Sequence, residues 1–312
     1  GWEKSETGWV KPEVKQSELA HIRRGLGFAC GYKNIGFSYG YRENCGATIE
    51  LFGDSEIEKA VLYHAGAEVG QGAHTVFLQF AAESLGIPEE KIEAHFSDTA
   101  TSLNSGSVSA SRMTFMAGNA IKEASQKALE LWHIGQRPVR VEHTYWAPAT
   151  SSLDKVDGHC VPNFAYGYVA ETVLAEVNTQ TGEVILREVI CTDDVGKAIN
   201  PALVEGQIEG AVVQAAGYTL LENWKQRDGM ALTKEFSTYL IPTILDIPDR
   251  VKSVILEYPD PAGPYGARGM GEMPYLPFAP AVISAVEDAI GIRFDSFPLT
   301  AERVLRAIGK ID

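Results

Sequence analysis

Cysteine is scarce in this chain. Four occur in 312 residues, at Cys30, Cys45, Cys160 and Cys191, with no Cys-x-x-Cys or other metal-ligand spacing. That argues against an iron–sulfur cluster or structural zinc on this chain, and no metal-ligand set is expected from it. A disulfide framework is equally out of keeping with so few cysteines at this length, so reduced thiols are expected. No apolar run approaches the ~18–20 residues that a membrane-spanning helix needs. Positive charge is short: 27 basic against 41 acidic residues leave a net charge of −14. With no basic stripe, nucleic-acid binding is excluded as a main function. An anionic ligand would therefore rely on backbone N–H groups more than on lysine and arginine. The first residues, Gly1 to Glu18, are polar and carry no signal-peptide core, which gives a cytoplasmic location as the expectation.

What is present is an ordinary globular mixture, 45% hydrophobic and 22% charged, enough for one large domain or two packed subdomains. Residues 1–24 read as a polar lead-in. Gly46–Phe52 and Lys59–Ala65 flank a Gly53-Asp54 turn signal and predict a β-hairpin. Ala73–Leu85 has helical apolar spacing and stops at Gly86 and Pro88. A strand is expected at Ile92–Phe96, a polar loop at Ser97–Ser111 and a long helix over Thr114–His133. The second half repeats the rhythm. Ala170–Val177 and Glu183–Cys191 form a hairpin around Thr181-Gly182, and Asp193–Pro201 is a loop. Val204–Leu221 is a helix body beginning near Pro201. A Pro/Gly-dense loop, Tyr258–Pro277, precedes a helix at Ala279–Ile290, and Thr300 caps a last helix running to Ile308. The expected fold class is α+β: two α+β subdomains, 25–150 and 151–312, interleaved at approximate boundaries, with mixed sheets and loops converging between them.

Four loops carry residue types suited to chemistry. Glu68-Val69-Gly70-Gln71-Gly72 links a strand to a helix; its glycines allow close backbone approach, and the helix N-terminus offers N–H groups to a phosphate. Asn104–Arg112 brings Ser107, Ser109, Ser111 and Arg112 to the start of the long helix, a donor set for an anion or polar heterocycle. Asn200, Pro201 and Gln207 open another helix, where Gly210 suggests close packing. Gly263–Pro274 places Glu272, beside Gly271, in a loop of small residues followed by Tyr275, Leu276 and Phe278. A carboxylate in such partly apolar surroundings is expected to have a raised pKa and serve as a base. Each loop alone is equally compatible with a plain turn, cap or structural carboxylate. Phe37, Tyr39 and Tyr41 are read as core aromatics rather than substrate contacts. The seven histidines are read as surface or core residues, and Asp193-Asp194 as a turn rather than an ion site.

Taken in order, the four loops resemble those of the molybdenum-binding catalytic subunit of the xanthine dehydrogenase and aldehyde oxidoreductase family. The likeness runs from about Gly25 to Ile308 and is most specific at Gly263–Gly291. It implies that Glu272 is the active-site base. It further implies that Gly70, Gln71, Gly72, Ser107, Ser109, Ser111, Arg112, Asn200, Gln207 and Gly271 contact a molybdopterin, in bacterial members often the cytosine dinucleotide form. The reaction implied is hydroxylation of an aldehyde or N-heterocycle carbon with water-derived oxygen, Glu272 taking the proton from a molybdenum-bound hydroxide. The family's full subunit is roughly twice this length, and its N-terminal Phe-Arg-Gly-Phe-type loop is missing here. A second polypeptide, or a further part of the same one, is therefore expected to complete the substrate pocket. Partner subunits carrying iron–sulfur clusters and FAD are expected too. Two other functions share these features: a non-catalytic cofactor-binding or cofactor-maturation module, and a reductive branch acting on aromatic thioesters.

Overall fold

The computed structural model describes residues 2–312. An exposed hairpin, β1 (Glu3–Ser5) and β2 (Gly8–Val10), opens the chain, and a 13-residue strand, β3 (Ile22–Asn34), follows. The first layer then forms from β4 (Asn44–Phe52), β5 (Lys59–His64), α1 (Ala73–Leu85), β6 (Ile92–Phe96), α2 (Met113–His133) and β7 (Val139–Trp146). The second comprises β8 (Tyr166–Asn178), β9 (Val184–Asp194), α3 (Pro201–Leu220), the short pair β10 (Gln226–Arg227) and β11 (Met230–Ala231), β12 (Arg250–Leu256), α4 (Phe278–Ile290) and α5 (Ala301–Ala307).

Two four-stranded mixed sheets result, ordered β6-β5-β4-β7 and β12-β9-β8-β3. Each is built on an antiparallel hairpin, a crossover helix and a parallel strand: β4–β5–α1–β6 and β8–β9–α3–β12. The α+β class expected from the sequence is the fold observed. The fourth strand distinguishes the two sheets. β7 follows its sheet in the chain, whereas β3 precedes and pairs with β8 over 13 residues. A division at residue 150 thus leaves β3 apart in sequence from its own sheet. Its period is hard to read because glycines occupy the inward positions Gly25, Gly27 and Gly31.

Each sheet has its own core. Ile49, Leu51 and Leu62 of the first pack against Phe77, Phe80, Phe115 and Met116 of α1 and α2. Val173, Val189 and Cys191 of the second pack against Ile208, Val212, Phe278 and Val282 of α3 and α4. Each large side chain removed from water contributes about 1.5–3 kcal/mol. The contact between α4 and β3 is closer than side-chain packing permits. A Cβ on Gly27 would lie 1.9 Å from the carbonyl oxygen of Ala281, and one on Gly25 would lie 2.1 Å from that of Ala285. Two strand residues advance about 6.6 Å and four helix residues about 6 Å. The glycine pair therefore stays in step with successive helical turns, backbone on backbone.

The second core also encloses Glu171, fully buried and opposite Cys191, with neither carboxylate oxygen hydrogen-bonded. Burial, opposed by the Cys191 thiol beside it and aided by nearby Asp193, pushes the Glu171 carboxyl up to about 8 from an ordinary 4.5. A carboxyl whose pKa is higher folded than unfolded holds its proton better in the native state. Its effect on stability is therefore progressively lost as pH rises from about 4.5 to about 8. Two outcomes are expected. Gly27→Val should cost about 2–4 kcal/mol in urea unfolding, since backbone must move to admit the side chain. Glu171→Gln should flatten the fall of melting temperature between pH 5 and 8, and an unchanged slope would exclude Glu171 as its source.

Candidate active-site cavity

The loops leaving β5 and β9 before their crossover helices converge, as expected where strand ends meet in α/β units. Together with the serine loop before α2 and the glycine loop before α4, they enclose a cavity of about 320 Å³. Gln71, Ser109, Ser111, Arg112, Asn200, Gln207, Gly271 and Glu272 all line it; Gly70, Gly72 and Ser107 do not. One wall is apolar, with Val76, Val108, Ile199, Leu203 and Met270.

The serine loop is held by a buried ion pair. Arg112 Nε donates to Glu43 Oε2 at 2.6 Å, and both side chains are at most 2% exposed. The remaining guanidinium N–H groups reach the carbonyls of Ser105 (2.8 Å), Ser107 (3.0 Å) and Asn44 (2.7 Å). Glu43 also accepts from the Phe37 N–H, and Gly36 N–H donates to the Ala110 carbonyl at 2.8 Å. Arg112 therefore shapes the loop with most of its N–H groups, while its side chain also lines the cavity. Next to it Ala110 and Ser111 adopt left-handed φ of 56° and 52°, unusual for residues with a Cβ.

Glu272 is fixed at both oxygens. Oε1 accepts from Ala110 N–H at 3.0 Å, and Oε2 lies 3.2 Å from Lys33 Nζ. Its own N–H donates to Ser111 Oγ at 3.2 Å. Lys33, near the end of β3, is anchored to the carbonyl of Asn34 at 2.7 Å and is 16% exposed. The surroundings are thus polar, with Glu272 46% exposed, and not the apolar setting expected from the residues that follow it. Tyr275, Leu276 and Phe278 lead into α4 and the second core instead. Lys33 was missed because a lone lysine in a glycine-rich strand carries no local signal.

Other expected ligand groups prove to be tied up locally. Glu68 accepts from the N–H groups of Gly70 (2.8 Å), Gly72 (2.9 Å) and His74 (3.1 Å), occupying the donors at the start of α1. Burial pushes its carboxyl up, but these three bonds outweigh that and hold it below the usual range. Gly72 adopts φ of 81° there, and a Cβ would collide with Leu203, so both conformation and space call for glycine. Gln71 folds back, accepting from Val69 N–H and donating to the Ala67 carbonyl. Asn200 caps α3 by accepting from Leu203 N–H. Gly210 has open space around it, so the close packing expected there is not found. Tyr39 and Tyr41 are 57% and 62% exposed, not core aromatics, because residues 39–42 cross the surface. Asp193 and Asp194 end β9 instead of forming a turn, and Asp194 pairs with Arg268 at 2.9 Å.

Gln207 differs. Its amide forms no side-chain hydrogen bond among the described residues, and its Oε1 would lie 3.3 Å from a Cβ on Gly271. With the Ser109 and Ser111 hydroxyls it gives the cavity a polar edge opposite its apolar wall. The cations at the cavity are all matched: Lys197 with Glu257, Arg268 with Asp194 and Asp260, Lys33 with Glu272, Arg112 with Glu43. No group of three or more His, Cys, Asp or Glu side chains is placed to hold a metal ion among the described residues.

A family profile described as "Molybdopterin cofactor-binding domain" matches residues 3–133 and 130–248. The chain belongs to this family. Its relatives carry xanthine dehydrogenase and aldehyde oxidoreductase names. The "Probable hypoxanthine oxidase XdhD" of Escherichia coli (strain K12) is 30% identical, matching 97% of this chain and 34% of that protein. The "Aldehyde oxidoreductase" of Megalodesulfovibrio gigas is 29% identical, matching 94% of this chain and 33% of that one. A solved aldehyde oxidoreductase from Desulfovibrio gigas superposes with a TM-score of 0.83 at 29% identity, covering 93% of this chain and 33% of that chain. A carbon monoxide dehydrogenase from Oligotropha carboxidovorans, at 20% identity and a TM-score of 0.78, shares the fold. The chain spans between a third and less than half the length of such relatives.

Within this molybdopterin-binding domain, the cavity's shape depends on the Glu43–Arg112 pair. Removing one partner of a buried pair leaves an uncompensated charge, at a cost of about 3–5 kcal/mol. Arg112→Met is expected to lose that much in urea unfolding. The double variant with Glu43→Leu should recover much of the loss; additive losses would show that the two side chains act separately.

Proposed function

We propose that the cavity binds the pterin of a molybdenum cofactor and that Glu272 is the proton acceptor of a hydroxylase acting on an aldehyde or N-heterocycle carbon. The supporting observation is the convergence of Ser109, Ser111, Gln207, Gly271 and Glu272, drawn from three separate segments, on one cavity. The donor set suits a pterin: the free Gln207 amide lies beside the Ser109 and Ser111 hydroxyls, which each hold one bond within the loops and keep further capacity, and aliphatic side chains cross the face. The bound cofactor supplies oxygen transfer and accepts the substrate's electrons.

This chain's own residues supply position and charge. Gln207 and the two serines orient the polar edge of the ligand. Gly271 leaves the space beside Gln207 that a side chain would fill. Ala110 N–H and Lys33 hold the Glu272 carboxylate in one orientation, so its oxygens meet a proton donor at fixed geometry. Lys33 is a positioning residue in this scheme. The cation pairing leaves little free positive charge for an anionic ligand, so neutral donors carry its recognition, whether the pterin is bare or carries the cytosine dinucleotide extension. A further polypeptide, or a further part of the same one, completes the substrate side of the cavity, and iron–sulfur and flavin subunits take the electrons onward.

Glu272→Gln in the native complex is expected to abolish turnover while molybdenum and pterin contents stay at parental levels. Turnover within ten-fold of the parent would remove Glu272 from the role. Lys33→Met is expected to lower kcat by about ten-fold or more with KM little changed. Lys33→Arg should restore part of that loss; an equal loss in both would assign Lys33 to folding alone.

A further inference from the structure

The two sheets treat their outer faces in opposite ways. Away from its helices, the first sheet carries a lattice of charge and polar stacking: Lys59 with Glu93, Arg140 with Glu50 and Glu142, and Tyr63 stacked on His95. Such a face is finished by water. The outer face of β12-β9-β8-β3 carries an apolar patch over β3, β8 and the middle of β9, bordered on the β12 side by Lys252 and the Arg250–Glu188 pair. Strand alternation and register bring Leu26, Phe28 and Tyr32 of β3 alongside Tyr168 and Leu174 of β8 and Ile190 of β9. Phe28, Tyr32 and Tyr168 are 47%, 68% and 52% exposed. Tyr166 packs edge-on against Tyr32. Trp2 packs against Phe28 on this face. At one end the apolar ground stops at a polar rim where Glu176 binds both Arg24 and Arg187. An aromatic centre with a charged rim is the anatomy of a protein interface.

We infer that this outer sheet face is the docking surface for the polypeptide that completes the molybdenum subunit. The patch measures roughly 15 Å by 20 Å, on the order of 300 Å². That is over a third of the ~800 Å² per partner in a standard stable interface. The family supplies an occupant of suitable size: two-thirds of the solved aldehyde oxidoreductase chain lies outside the part matched here. The inference rests on family membership and not on the role of Glu272.

Hydroxyl-radical footprinting of the native complex, recovered through a tag on this chain, tests it against the same chain alone, with cross-linking to identify the neighbour. Phe28, Tyr32 and Tyr168 should lose at least five-fold in modification, with cross-links running to a polypeptide bearing the remaining molybdenum-subunit sequence. Unchanged modification overturns the inference, as does protection by a second copy of this chain or by an iron–sulfur or flavin subunit. The pair Tyr32→Lys and Tyr168→Lys should reduce co-purification of that polypeptide at least ten-fold with the melting temperature of this chain unchanged. Undiminished co-purification also overturns it. If the variant's melting temperature falls, the footprint on the parent chain decides.

Discussion

The buried pair between Glu43 and Arg112 is the interaction on which the cavity depends. It is made in a water-poor setting where neither charge could stand alone. Its lesser bonds spread the consequence: one guanidinium fixes three carbonyls of two segments, and one carboxylate fixes the turn after β3. Ala110 and Ser111 are then held in a backbone conformation they would not adopt freely. Their N–H and hydroxyl groups in turn meet Glu272. A buried charge pair behind the serine loop thus sets the direction of the carboxylate proposed to do the chemistry.

The electrostatics follow one design throughout. Arginine and lysine near the cavity serve the protein's own carboxylates, and Glu68 covers the donors at the start of α1. The acidity of the whole chain makes this unsurprising: with more carboxylates than cations, most cations find a partner. Discrimination between ligands then falls to groups whose direction is fixed by the backbone, which suits a heterocycle with a patterned edge better than a simple anion.

Much of the fold was legible in the sequence. Both hairpins, the crossover helices and the α+β class could be read because their signals are local: turn dipeptides, 3.6-residue spacing, Gly and Pro stops, and Thr300 and Pro201 at helix starts. β3 was not, since glycines required by a distant helix erase its alternation. The candidate site was legible in membership but not in bonding. The sequence singled out Gln71, Arg112 and Asn200 by residue type. Only the structure shows that their polar groups close on the protein itself, while Gln207 keeps its amide available. Lys33 lies 239 positions from Glu272, and no spacing rule links residues so far apart.

The seam where β3 lies directly on α4 also limits how this chain can vary. Lys33 continues the strand beyond Gly27, and the loop bearing Glu272 leads into the helix. With no side chain between strand and helix, their separation is set by backbone contact and has no side-chain size to adjust it. Small substitutions elsewhere can reshape the walls of the cavity, but the spacing of the lysine and carboxylate stays the same. Changes in ligand preference would then arise around a constant frame, in the walls and in whatever closes the open side.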